Sequence, residues 1–205
     1  MAAVIDGTLF LTTFLTLFVI MDPAGTVPVF LALTSTMTAK QRARAAIQAV
    51  AVAFGVIVAF VLFGKYILTF LGISVPALQA SGGLLLLLVA MDLLTGKAEE
   101  PSASGKVNVA LVPLGTPLLA GPGAIVAAML AVQSSGGTVA GWVAIILAIV
   151  AVHVCLFLAM RFSVIVHRVL GEGGTTLVTR IAGLLLAAIA VQLIADAVRA
   201  FILGG

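Results

Sequence analysis

Six stretches of apolar residues, each close to the length needed to cross a bilayer, alternate along this chain with short polar or glycine-rich breaks. A spanning helix needs roughly 20 residues, and the pattern predicts helices over 8–34, 46–64, 76–95, 108–132, 140–160 and 181–203. Two of the six carry helix-breaking motifs well inside the apolar run. These are Asp22-Pro23-Ala24-Gly25-Thr26-Val27-Pro28 in the first and Pro117-Leu118-Leu119-Ala120-Gly121-Pro122-Gly123 in the fourth. The halves match elsewhere too: Gly83-Leu84-Leu85-Leu86 recurs 100 residues later as Gly183-Leu184-Leu185-Leu186, and aligning Gly25 with Gly123 gives nearly the same offset. An odd number of helices per copy inverts the second copy relative to the first. The expected fold class is therefore an all-α membrane protein of six transmembrane helices, built as two inverted three-helix repeats with broken first and fourth helices. The single transmembrane domain, 1–205, then divides into repeats at 1–95 and 108–205 joined by a cytoplasmic linker, 96–107.

Composition removes the soluble alternatives. With 63% of residues hydrophobic and 8% charged, a domain of this size could not hide its apolar surface from water. The charges that remain carry topology. Lys40, Arg42, Arg44, Lys97, Lys106, Arg161, Arg168 and Arg180 fall in or beside the first, third and fifth connections, against Lys65 and Arg199 on the other side. The positive-inside rule then places those connections in the cytoplasm and both termini outside. A nucleic-acid partner does not fit a net charge of +3 spread over short loops. No Lys or Arg precedes Lys40, so the basic start of a cleavable signal is missing and the first apolar segment is expected to stay as a helix. Cys155 is the sole cysteine, which excludes an internal disulfide or a CxxC pair. His153 and His167 are too few for a metal cluster, so no metal or cofactor is expected. His153 is read as a packed helix histidine and His167 as a residue of the fifth connection.

The breaks carry the candidate chemistry. Irregular backbone at membrane depth is tolerated where protein groups or a polar cavity satisfy it, and paired breaks build midplane sites in secondary transporters. Asp22 before Pro23 is an N-cap followed by proline at the first helical position, and Gly121 before Pro122 offers the same arrangement with a glycine cap. Each restart presents backbone N–H groups and a positive dipole end, suited to a carboxylate. Gly25 and Gly123 leave room for close approach. Pro23, Pro28 and Pro122 release the carbonyls four residues before them, as acceptors for an ammonium group or cation. Asp22, about fourteen residues into its helix, is the candidate for ammonium binding or proton coupling. Asp92 is a second coupling candidate nearer the surface, and Thr26 is a secondary polar contact. Two carboxylates at different depths do not make an aspartyl protease, and GxSG and HExxH motifs are absent. No enzymatic activity is expected.

Met-Asp-Pro-Ala-Gly-Thr-Val-Pro-Val-Phe at 21–30, Pro-Leu-Leu-Ala-Gly-Pro-Gly-Ala-Ile at 117–125 and Thr-Arg-Ile-Ala-Gly-Leu-Leu-Leu-Ala-Ala-Ile-Ala at 179–190 resemble the MarC family of prokaryotic integral membrane proteins. That family's first motif often reads Asn-Pro-x-Gly-Asn, where this chain has Asp22 and Thr26. The resemblance implies a six-helix, multi-pass protein of the prokaryotic cell (inner) membrane, of a family also classified as neutral amino acid transporters. The expected function is thus secondary transport of a small neutral amino acid such as glycine or alanine. The expected partners are that amino acid, a proton or sodium ion as coupling ion, the lipid bilayer, and further copies of the chain in a homo-oligomer. The substrate-binding set is Asp22, Pro23, Gly25, Thr26, Pro28, Gly121, Pro122 and Gly123. A membrane scaffold or assembly factor without transport activity is the alternative, and it leaves the paired breaks as incidental kinks.

Overall fold

The computed structural model describes residues 5–34, 36–96 and 119–203. They form seven helices: α1 (Gly7–Met21), α2 (Pro23–Leu33), α3 (Ala39–Leu71), α4 (Val75–Thr95), α5 (Pro122–Ser134), α6 (Val139–Arg161) and α7 (Ser163–Ile202). Five helical stretches are long and apolar enough to cross a membrane, and α5 is a shorter apolar helix. No strand occurs among the described residues. The linker at 97–107 and the first half of the expected fourth span, together with Pro117, lie outside the described residues.

Lipid gives packed helices no hydrophobic drive toward one another, so association depends on close van der Waals fit through small residues. On α3, Ala45, Ala49, Ala53, Ile57, Val61, Gly64 and Leu68 recur every three or four residues and are buried, forming one face. Leu62, Phe63 and Tyr66 point outward and are exposed. The most buried spanning helix, α6, turns Gly141, Ala144, Ala148 and Val152 inward and packs on α1, α2 and α3. His153 is buried there, its Nδ1 2.7 Å from the Ile149 carbonyl and its ring edge-on to Phe54.

The tightest pair is α4 with α7, and it is built on glycine. A Cβ at Gly83 would lie 2.8 Å from the Ala190 carbonyl and 2.7 Å from Ile194, while one at Gly183 would lie 3.3 Å from the Ala90 carbonyl and 3.2 Å from Leu94. Rising numbers on one helix meet falling numbers on the other, so the two run antiparallel. Each contact also has its counterpart 100 residues away: 83 to 190 and 194, against 183 to 90 and 94.

The structure departs from the predicted spans in two places. Helix α3 runs from Ala39 to Leu71 rather than from 46 to 64, because a helix does not end where the bilayer does. Its capping box of Thr38 and Gln41 carries Lys40, Arg42 and Arg44 as polar first turns, and Gly72 in the left-handed region stops it. The second departure corrects the fifth connection, which is helical rather than a loop. Only Phe162, at φ −104° and ψ 20°, separates α6 from α7, so His167 is a helix residue. No proline interrupts Ser163–Leu170, and the chain bends at Gly171, whose φ of 65° glycine adopts without penalty.

Gly83→Ala should lower the thermal stability of the detergent-solubilised protein, by about 1–3 kcal/mol for overpacking, because the Ala190 carbonyl is backbone and cannot step aside. Gly55→Ala on the exposed face of α3 meets nothing within 4 Å and should hold or raise the melting temperature, since alanine is favoured by about 0.5–1 kcal/mol in a helix interior. Equal losses for both would mean that the glycine contact does not govern the α4–α7 pair.

Candidate functional site

The first break is a junction of two helices on one residue. Asp22 has φ 38° and ψ 74° and is the one non-glycine residue with positive φ among the described residues. It ends α1, with its N–H donating to the Phe18 carbonyl. It also starts α2: the Gly25 N–H donates to Asp22 Oδ1 at 3.0 Å and the Thr26 N–H to the Asp22 carbonyl at 3.0 Å. Pro23 takes the first helical position, where a missing N–H costs nothing. The residue is buried, 8% exposed, and among the described residues its Oδ2 has no hydrogen-bond partner.

The second break repeats this geometry without the side chain. Gly121 is the N-cap of α5, Pro122 follows at the first position, and the Ile125 N–H donates to the Gly121 carbonyl at 3.2 Å. Aligned on their caps, Gly25 matches Ala124 rather than Gly123. The difference is in the donors. At α2 a carboxylate closes the first turn, whereas at α5 no side chain caps the helix, and the capping residue leaves the Gly123 and Ala124 N–H groups unmatched. Among the described residues, one restart therefore carries a carboxylate oxygen without a hydrogen-bond partner, and the other a first turn with no side-chain cap at the positive end of a helix dipole.

The surroundings differ as well. Gly25 sits where α2 meets α7: a Cβ there would collide with the Asp22 carboxylate and lie 3.2 Å from Thr179 Oγ1. Thr179 was not in the predicted set. Its signal in the sequence is its place one turn before the packing residue Gly183, on the same helix face. Gly123 instead receives the Leu86 side chain of α4, and Gly82 on the same helix receives Val126 of α5, so an apolar side chain fills the space beside the uncapped turn. Thr26 is buried and its hydroxyl donates to the Asp22 carbonyl at 2.8 Å, with the Met21 carbonyl at 3.3 Å. It answers acceptors that the break exposes. Pro28 lies within α2 and leaves the Ala24 carbonyl without its usual donor. Asp92 is exposed on α4, opposite the face formed by Gly82, Gly83, Leu86 and Ala90, and no described contact brings it to Asp22.

Buried residues next to the two breaks, Met21 on one side and Leu119 and Ala120 on the other, belong to the same apolar cluster, and α1 packs against α5. Among the described residues no group of three or more His, Cys, Asp or Glu could hold a metal.

Comparison with known proteins agrees with this architecture. The model of the MarC family of integral membrane proteins matches residues 7–202. A UPF0056 membrane protein of Methanocaldococcus jannaschii is 36% identical over 201 residues, covering 95% of this chain and 98% of its own. One from Aquifex aeolicus is 37% identical over 201 residues, 94% of each chain. The UPF0056 inner membrane protein MarC of Citrobacter koseri is 31% identical over 196 residues, 86% of this chain and 88% of its own. No solved structure matches. With the family model matching from residue 7 to residue 202 and relatives similar over nearly their whole length, the chain belongs to the MarC family of multi-pass integral membrane proteins.

Proposed function

We propose that this protein is a secondary transporter of small neutral amino acids, glycine or alanine in size, whose substrate lies between the two helix restarts. The observation that carries this reading is the unequal capping of otherwise equivalent turns. Among the described residues, Asp22 leaves one buried carboxylate oxygen unpaired, and Gly121 leaves the first turn of α5 without a side-chain cap. An ammonium group answers the first and a carboxylate the second, so a zwitterion matches both. The glycines at and beside the restarts, Gly25, Gly121 and the buried Gly123, favour a substrate with little or no side chain. Asp22 also supplies the group through which a proton or sodium ion couples to transport, while Asp92, exposed on α4, has a weaker claim.

The same reading takes the chain as six spans in two inverted repeats, supported by the reciprocal α4 and α7 contacts and the matched restarts. Both termini are placed outside and the basic connections in the cytoplasm. In a Cys155-free background, cysteines at Thr38 and Ser104 should react only with permeant thiol reagents and those near the termini with impermeant ones. The reverse pattern overturns this orientation. Leu86 against Gly123 leaves the α5 turn covered, so transport requires α4 and α5 to part there.

The defining measurement is saturable uptake of labelled alanine or glycine into liposomes containing only this protein, under imposed proton or sodium gradients. Absence of flux leaves the scaffold reading. Glycine should compete with labelled alanine, whereas glycine methyl ester and acetate, each lacking one charged end, should compete at least tenfold more weakly. Equal competition by the methyl ester would remove the carboxylate role of α5.

Asp22→Asn keeps an acceptor for the Gly25 N–H and tolerates the left-handed conformation, so it should melt close to wild type while losing gradient-driven accumulation. Asp22→Ala should in addition lose about 0.5–2 kcal/mol of stability with the cap. Wild-type accumulation by the Asn variant would reduce Asp22 to a helix cap.

A further inference from the structure

At the end of the bundle opposite Lys40, Arg42 and Arg44, a cavity of about 540 Å³ opens between the last turns of α3 and α5, the α3–α4 connection and the start of α6. Phe60, Met129 and Trp142 give it apolar walls, with Thr69 and Gln133 among its polar groups. Among the described residues Lys65 is its sole charged lining residue, and it is also the one charge on α3 beyond Arg44. The described lining thus offers a positive group, hydrogen-bonding side chains and no acid.

Its position ties it to the second restart. The wall follows α5 from Ser135 down to Met129, and Met129 lies six positions along the same helix from Gly123, about 9 Å at ~1.5 Å per residue. At the floor the Met129 thioether rests against Gly64, where a Cβ would lie 2.9 Å from Sδ. An unbranched thioether changes rotamer readily, and the missing side chain at Gly64 is what lets it lie there.

We propose that this cavity is the entrance site of the transport path, where Lys65 binds the carboxylate of the incoming amino acid before Met129 withdraws from Gly64 and opens the way to the α5 restart. This rests on the transport reading above. A fixed cation at the mouth of a low-dielectric pocket raises the local concentration of the carboxylate end and orients it. Passage then moves that carboxylate from Lys65 to the backbone donors of α5, with the α-ammonium group trailing.

Trp142 is the only tryptophan in the chain, so its emission reports on this cavity alone. Titrating glycine or alanine into the protein in phosphatidylcholine vesicles should change Trp142 fluorescence saturably. Lys65→Gln should weaken that response about tenfold and raise KM for uptake with little change in maximal rate, and Lys65→Arg should restore both. Because Lys65 is exposed, these variants should melt like wild type. Uptake with no fluorescence response and an unchanged KM in Lys65→Gln overturns the entrance site and leaves the transport reading standing. A saturable, Lys65-dependent response without uptake overturns the entrance role together with the transport reading and leaves a carboxylate site alone. Emission that follows added phosphatidylglycerol but not glycine assigns the cavity to an anionic lipid and overturns the proposal.

Discussion

A backbone polar group inside a bilayer has no water to fall back on, and that constraint organises the first break. Ending α1 and restarting α2 one residue later exposes donors and acceptors together, and a handful of residues answers them. Asp22 donates its N–H backward and offers Oδ1 forward. Pro23 withholds a donor that would have been orphaned, and Thr26 turns its hydroxyl onto the carbonyls at 21 and 22. This local completeness lets a carboxylate be buried with no cation beside it among the described residues. Within the same set, the surplus is confined to a single atom, Oδ2.

The second break solves less of the same problem. Glycine can take the capping conformation but has no side chain to cap with. Leu86 of α4 packs on Gly123 beside that turn. The two restarts thus handle the same local problem by different means, one with a capping carboxylate and the other with an apolar side chain packed on glycine.

Much of this was legible in the sequence, because Asp-Pro and Gly-Pro inside apolar runs have few other readings and capping is local chemistry. The Gly83 and Gly183 register was legible too, since repeated glycines in leucine-rich helices point to close packing. What could not be read was which neighbour each glycine meets. Gly25 and Gly123 look equivalent along the chain, yet one meets Asp22 and Thr179 and the other a leucine from a different helix. Helix ends were misjudged where charge was used as a boundary, as at Ala39, or where a connection was assumed to be irregular, as at Ser163–Leu170. Charge marks the edge of the bilayer, and hydrogen bonding decides the end of a helix. Asp92 shows the limit of depth arguments: its position along α4 was inferable, but whether it faces the interior depends on the helix packed against it.

The reciprocal contact between α4 and α7 has the logic of an isologous dimer interface written within one chain, in which each patch meets the equivalent of itself. In such an interface one residue type is tested twice, since Gly83 and Gly183 each face a backbone carbonyl of the other helix. A bulky residue written into both would insert two side chains at one crossing, and their costs need not add because the same helix pair must absorb both. A side chain at either glycine would press on a backbone carbonyl, that of Ala190 for one and of Ala90 for the other, while the restarts at Asp22 and Gly121 differ in how they are capped.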